Sequence, residues 1–370
     1  MLPSMRRGSL ALVLASLLAV PLRAQAPGAL ADSAFAALVA RLSEPPGFFD
    51  TDNLISNEDS YLHVVGTLKR LGVAGGAYVG VGPDQNFSYI AAVRPHIAFI
   101  IDIRRDNLLQ HVLFKSIFAL SRNRIEYLCL LLGRSPPPDT AGWGARDMAS
   151  LLAYIDAARP DSSTAARIRS RVLDRVRRSP VALSPADLAT ITRFHLTFIT
   201  QGLGLRFNSF GRFPQAYDPD FRRLLGETDR AGRQSNVLAH ETDFQFVKGL
   251  EERNLVIPVV GDFGGDRALA GTAEWIRTHH EVVSAFYTSN VEQYLFRDGT
   301  FDHFAQSVAR FPRTATSVML RSYFRGNHPL SVPGYHSTQI TQLIDRFVAA
   351  QAAGGFGSYY ALVTRDIVPP

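Results

Sequence analysis

The apolar positions of this chain change period several times, and those changes outline its elements. Residues 76–82 (GAYVGVG), 96–103 (HIAFIIDI), 254–263 (NLVIPVVGDF), 281–289 (EVVSAFYTS), 315–324 (ATSVMLRSYF) and 358–368 (SYYALVTRDIV) are short runs, most of them continuously apolar. Strands covered on both faces read this way, as in a parallel sheet with helices above and below. Helical spacing predicts helices between them, over 107–132, 240–253, 268–279, 290–296, 302–310 and 337–351. The alternation predicts an α/β fold with a doubly wound, Rossmann-like sheet. It breaks between strands two and three, where 107–253 reads as a mostly helical insertion that caps the ligand edge of the sheet. Inside the insertion, helices are predicted at 146–158, 163–178 and 184–201. The last has Ser184 as N-cap and Pro185 at its first position. Segments 135–144 and 207–221 read as irregular chain. Ahead of the sheet stand a helix over 31–42, a Pro/Gly loop over 44–53 and a helical face over 55–72 with Gly72 as C-cap.

The first residues form a pattern of their own. Arg6 and Arg7 precede an apolar run over 10–20, and small residues follow. This is the layout of a secretory signal, with a cut after Ala24. The run is short for a membrane span, although an uncleaved anchor is the alternative. The chain therefore divides into a signal peptide (1–24), a linker with an N-terminal helix (25–54) and a Rossmann-like domain (55–370). The expected location is periplasmic or secreted, with no stable membrane span once the signal is removed.

Composition narrows the partners. The chain has 370 residues, 46% hydrophobic and 19% charged, enough for a sizeable core. Its formal net charge is +6, and loss of Arg6, Arg7 and Arg23 with the signal halves that excess. No Lys/Arg block stands beside an aromatic series, which speaks against nucleic acid and for a small-molecule ligand. Cys129 is the single cysteine, so an internal disulfide and a cysteine-based zinc cluster are excluded. It reads as a buried thiol.

In doubly wound sheets, ligands bind beyond the carboxyl ends of the strands. Strand one ends in Gly80-Val81-Gly82, followed by Pro83, Asp84, Gln85 and Asn86. Glycine lets backbone approach a ligand, and the next helix would aim its N–H groups at it. The bland alternative is a structural turn. Strand two ends at Asp102, at a spacing that suits hydrogen bonds from ribose hydroxyls. The alternative pairs Asp102 with Arg104 or Arg105, which could instead bind a ligand carboxylate or phosphate. Strand three ends at Asp262-Phe263, where the acid could contact a base amine and the ring could pack on it. Equally, GDFGGD reads as a loop with a helix cap. Strand four leads into Tyr287, Ser289, Asn290, Gln293 and Tyr294, where a transferred group would sit; the alternative is Ser289 as an N-cap only. The histidines make no metal pattern, and His195 reads as packed or exposed rather than catalytic. Asp102 and Asp262 as a cation pair would make a metal-assisted hydrolase, a third-ranked reading with no metal ligand set to support it.

These motifs resemble the class I S-adenosylmethionine-dependent methyltransferase fold. The series VGVGPDQNFSYIAAVRPHIAFIIDIRRDN, VIPVVGDF and FYTSNVEQYLF also looks like a family of uncharacterised bacterial proteins with that type of fold. The resemblance implies S-adenosylmethionine as cofactor. Its methionine end would lie at Gly80, Gly82, Pro83, Asp84, Gln85 and Asn86, its ribose at Asp102 with Arg104 beside it, and its adenine at Asp262 and Phe263. Tyr287 and Asn290 would orient the acceptor, with Ser289 and Tyr294 binding it. SNVEQYL is also similar to transferases of the 3-amino-3-carboxypropyl group of the same cofactor. A non-catalytic exported binding protein on this scaffold is the rival reading. Two positions depart from the pattern: Tyr78 stands in place of the acid before the glycines, and Asp84 in place of the third glycine.

Overall fold

The computed structural model describes residues 28–158, 161–210, 215–324 and 326–370. The expected signal peptide lies outside these residues. The fold is mixed α/β, with seven strands in one sheet: β1 (Ala77–Gly80), β2 (Ile97–Asp102), β3 (Val256–Val260), β4 (Val283–Ser289), β5 (Arg313–Tyr323), β6 (Thr338–Leu343) and β7 (Ile367–Val368). Their order is β3-β2-β1-β4-β5-β6-β7. The first five strands pair in parallel, while β6 runs antiparallel to both β5 and β7. β1, β2 and β3 are buried at every position, which explains their unbroken apolar runs. This architecture is compatible with a Rossmann-like sheet.

The register sets the site. Gly80 lies opposite Ile100, Asp102 opposite Val260, and Ser289 opposite Arg321. The carboxyl ends of four parallel strands thus meet along one edge. Helices pack against the sheet in two sets. One contains Gln85–Val93, Arg105–Leu120 and Glu241–Glu252; the other contains Asp32–Leu42, Ala268–Thr278, Phe301–Ala309 and Ile344–Ala352.

Two predicted elements change type. Residues 337–351 were expected to be helical throughout, but 338–343 form β6 and the helix begins at Ile344. TQITQL is rich in polar side chains, yet this strand is buried almost throughout. Its polar groups are used inside: Gln339 donates to Glu58 and Ser322, and Gln342 accepts from Arg321. The expected strand over 358–368 is instead a helix, Tyr359–Thr364, capped by Ser358, with only Ile367–Val368 extended. Tyr359, Leu362 and Val363 are buried on that helix while Tyr360 is exposed, a pattern that a run this short cannot distinguish from a strand.

The insertion is largely helical, as expected. Ser184 and Asp187 form a reciprocal capping box with Pro185 in the first turn. Helix Arg105–Leu120, however, packs on β2 and β3 and belongs to the covering of the sheet. Gly72 ends its helix at φ 66°. Cys129 is fully buried, and burial pushes its thiol up to about 12. His195 is also buried, bonded to the Leu130 carbonyl, with its imidazole pushed down to about 4 by burial. No described helix is long and apolar enough to cross a membrane.

Candidate functional site

A cavity of about 470 Å³ opens at the carboxyl ends of β1 to β4. Its size falls within the range of small-molecule sites, roughly 300–1,000 Å³. Gly82, Pro83 and Gln85 enter it from β1, Asp102 and Arg104 from β2, Asp262 and Phe263 from β3, and Tyr287, Ser289, Asn290 and Tyr294 from β4 and the helix after it. Gly80, Asp84 and Asn86 do not line it. The insertion reaches it through Phe207, Ser209 and Phe210, and the 44–53 loop through Phe48, Phe49, Asp50, Thr51 and Asn53. These two segments are joined by a bridge between Thr51 and Ser209 and by a 2.7 Å bond from Phe210 N to Asp50 O.

The glycine loop is built around Asn86. Its amide donates to the carbonyls of Val81 (2.9 Å), Gly82 (3.3 Å) and Pro83 (2.7 Å), and its oxygen accepts from the Tyr78 hydroxyl at 2.8 Å. Tyr78 therefore supports the loop from beneath. A Cβ on Gly80 would lie 2.1 Å from the Asn86 oxygen, so this glycine is needed for the Tyr78–Asn86 contact. Gly82 adopts φ 84°, a conformation open to glycine at little cost. Asp84 faces a smaller, largely apolar cavity with Tyr61, Phe87 and Tyr127, and burial pushes its carboxyl up to about 7.

Asp102 has a partner within the chain. Its carboxylate accepts Arg104 Nε (3.0 Å) and the Arg104 backbone N–H (2.9 Å) on one oxygen, and Arg104 Nη2 (2.9 Å) on the other. Both side chains are nearly buried. Arg104 also donates to the carbonyls of Thr51 and Asp52, tying the rim loop to the end of β2. An ionised carboxylate has about four acceptor positions. Three are taken, which leaves Asp102 capacity for one more donor. Arg105 points elsewhere and pairs with Asp187.

Asp262 accepts the Gly264 N–H at 2.8 Å. Phe263 lines the cavity but stacks on Phe304 and meets Phe286 edge-on, so much of its ring belongs to the core. Glu44 accepts the N–H groups of Asp262, Arg267 and Ala268, fastening the start of the rim loop to the end of β3.

The β4 end holds a group that the sequence reading passed over. Glu58, 1% exposed, lines the cavity. Tyr287 and Ser289 donate to Glu58 Oε1, each at 2.5 Å, and Gln339 donates to Oε2 at 2.9 Å. All three donors are neutral, and among the described residues no cation pairs with Glu58. Burial raises its carboxyl above the ordinary range, against the opposing pull of those hydrogen bonds. Gln85 donates to Tyr287, while its own side-chain oxygen is buried without a partner. Ser289 holds φ 54°, unusual for a non-glycine residue, at an irregularity in the β4–β5 register. Asn290 is the N-cap residue of helix Val291–Asp298; Gln293 points to solvent. The sequence signal for Glu58 was faint. ISNEDSYLHV reads as the start of an amphipathic helix, and nothing local shows that its acid turns inward.

Among the described residues, five carboxylates line the cavity (Asp50, Glu58, Asp102, Asp262 and Asp298) against two guanidiniums, Arg104 and Arg297. The site is therefore suited to a cationic ligand. No group of three or more His, Cys, Asp or Glu among the described residues is placed to hold a metal ion.

The fold and site define an α/β protein with a ligand-sized cavity at the carboxyl edge of its parallel strands. The chain belongs to the family described as Domain of unknown function (DUF7790), whose model matches residues 54–135 and 208–349. No curated protein matches it. The matched segments include β1 to β6 and Glu58; the 44–53 rim lies outside them.

Proposed function

We propose that this protein is a class I methyltransferase-like transferase that binds S-adenosylmethionine and acts on a small acceptor outside the cytoplasm. In this reading the sheet with its two helix sets is a doubly wound, Rossmann-like unit. The observation that carries it is convergence: Gly82, Asp102, Asp262 and Asn290, which follow four successive parallel strands, line one cavity. The cofactor is a sulfonium cation, and the excess of carboxylates around the cavity favours it.

The residues fit the cofactor with one adaptation at the ribose end. Gly82 admits close approach of a ligand, Asp262 offers an acceptor for a base amine, and Asp102 retains capacity for one hydroxyl rather than two. When bound, the cofactor supplies an electrophilic carbon, either methyl or aminocarboxypropyl. The protein's part is positioning. Arg104 fixes Asp102, Glu58 fixes the Tyr287 and Ser289 hydroxyls, and Asn290 and Tyr294 close the acceptor side. Holding donor and acceptor in line is the main source of rate in such a site. The Phe48, Phe49 and Phe210 rim limits water.

Calorimetric titration of the purified protein with S-adenosylhomocysteine tests the proposal. One-site binding that weakens at least tenfold in Asp262→Ala is the expected result. Absence of binding at millimolar ligand, or unchanged affinity in that variant, rejects it.

A further inference from the structure

The Glu58 end of the cavity poses a separate electrostatic problem. A carboxylate excluded from water costs several kcal/mol unless it is paired or neutralised. Glu58 has three neutral donors and no cation among the described residues. Beside it, the Gln85 oxygen is a buried acceptor without a donor. Both residues line the cavity, Glu58 being 1% and Gln85 6% exposed. One unpartnered acceptor beside a carboxyl with no counter-charge matches a primary ammonium group, which brings three donors and one charge.

The sheet order indicates which molecule carries that ammonium. The proposed donor contacts at Gly82, Asp102 and Asp262 follow β1, β2 and β3, on one side of the cavity, while Gln85 reaches from the β1 loop toward β4 and donates to Tyr287. Glu58 is held by Tyr287 and Ser289 of β4 and by Gln339 of β6, on the other. Tyr294, just beyond β4, meets Phe49 edge-on at 5.0 Å, and Phe48 and Phe210 expose their rings at the mouth. We propose that Glu58 and Gln85 form an ammonium subsite, and that the acceptor is a primary amine with an apolar body; Glu58 would take one N–H proton, freeing the nitrogen lone pair for transfer while the carbon–sulfur bond of the donor breaks to leave a thioether. The amine's role as acceptor rests on the transferase reading; the subsite itself does not.

The test compares phenethylamine with 2-phenylethanol, which has the same body and no charge, by calorimetry on the full protein near neutral pH. The expected result is at least tenfold tighter binding of the amine, retained when S-adenosylhomocysteine saturates the protein, and lost in Glu58→Gln. Equal affinities, or no binding of either compound, overturn the subsite. The wild-type comparison decides this even where the variant folds poorly. Displacement of phenethylamine by S-adenosylhomocysteine overturns the acceptor assignment, because the ammonium would then come from the donor. Amine selectivity with no binding of S-adenosylhomocysteine supports the subsite and rejects the transferase reading.

Discussion

Asp102 and Glu58 are both nearly buried carboxylates in one cavity, and they are satisfied in opposite ways. Asp102 has a bidentate guanidinium two residues away, so its charge is balanced within the chain. Among the described residues, Glu58 has only neutral donors. An internally balanced acid has little left for a ligand beyond one hydrogen bond and serves mainly to hold Arg104 and the rim loop. The unbalanced acid has no counter-charge among the described residues, so a cation that binds beside it meets no competitor. Exposure alone would have ranked the two equally; their partners separate them.

The largest expected effect breaks the balanced member. Asp102→Asn leaves the Arg104 guanidinium buried without its counter-charge, and losing one partner of a buried pair costs about 3–5 kcal/mol. Urea denaturation should show that loss. Glu58→Gln removes a buried charge, keeps the shape, and should leave stability unchanged or raise it. A comparable loss in both variants would erase the distinction.

The next effect is in pH. Burial raises Glu58 above its ordinary value, and it raises Asp84 from 3.8 to about 7. A carboxyl raised in the folded state binds its proton more tightly there than in the unfolded chain. Its stabilising contribution is full below the unfolded value and is lost as pH rises through the folded one. Melting temperature should therefore decline between about pH 4 and 7, and less steeply in Asp84→Asn; a slope unchanged in that variant would contradict the assignment.

Gly82→Ala comes third. At φ 84° a side chain costs roughly 1–2 kcal/mol, and its Cβ would stand 3.4 Å from the Asn53 amide at the cavity. A modest loss of stability with weaker S-adenosylhomocysteine binding is expected. The smallest effect on stability belongs to Phe48→Ala. Phe48 is 79% exposed, so the change should stay within about 0.5 kcal/mol while phenethylamine affinity falls. Unaltered affinity would remove Phe48 from the acceptor site.

The legibility of the sequence followed the same division. The parallel half could be read because β1 to β5 are apolar runs whose ends carry the chemistry. Gly82, Asp102, Asp262 and Asn290 were found by looking where those runs stop. The antiparallel edge could not be read this way. β6 buries threonines and glutamines in side-chain networks, so it has no apolar run to mark it as a strand, and Tyr359–Thr364 is too short for its period to show. Glu58 escaped for a related reason: its inward turn is fixed by Tyr287, Ser289 and Gln339, the nearest of them 229 residues away along the chain. Arg104 was visible as a possible partner of Asp102 because it lies two residues away. Local pairings leave a trace in sequence, and long-range ones do not.

The account stands most directly on where the cofactor lies. A crystal structure of the protein grown with S-adenosylhomocysteine should place the ribose against Asp102, the base against Asp262 and the amino-acid end at Gly82, leaving the Glu58 side open. A ligand bound elsewhere, or crystals grown at saturating ligand with none in this cavity, would contradict it.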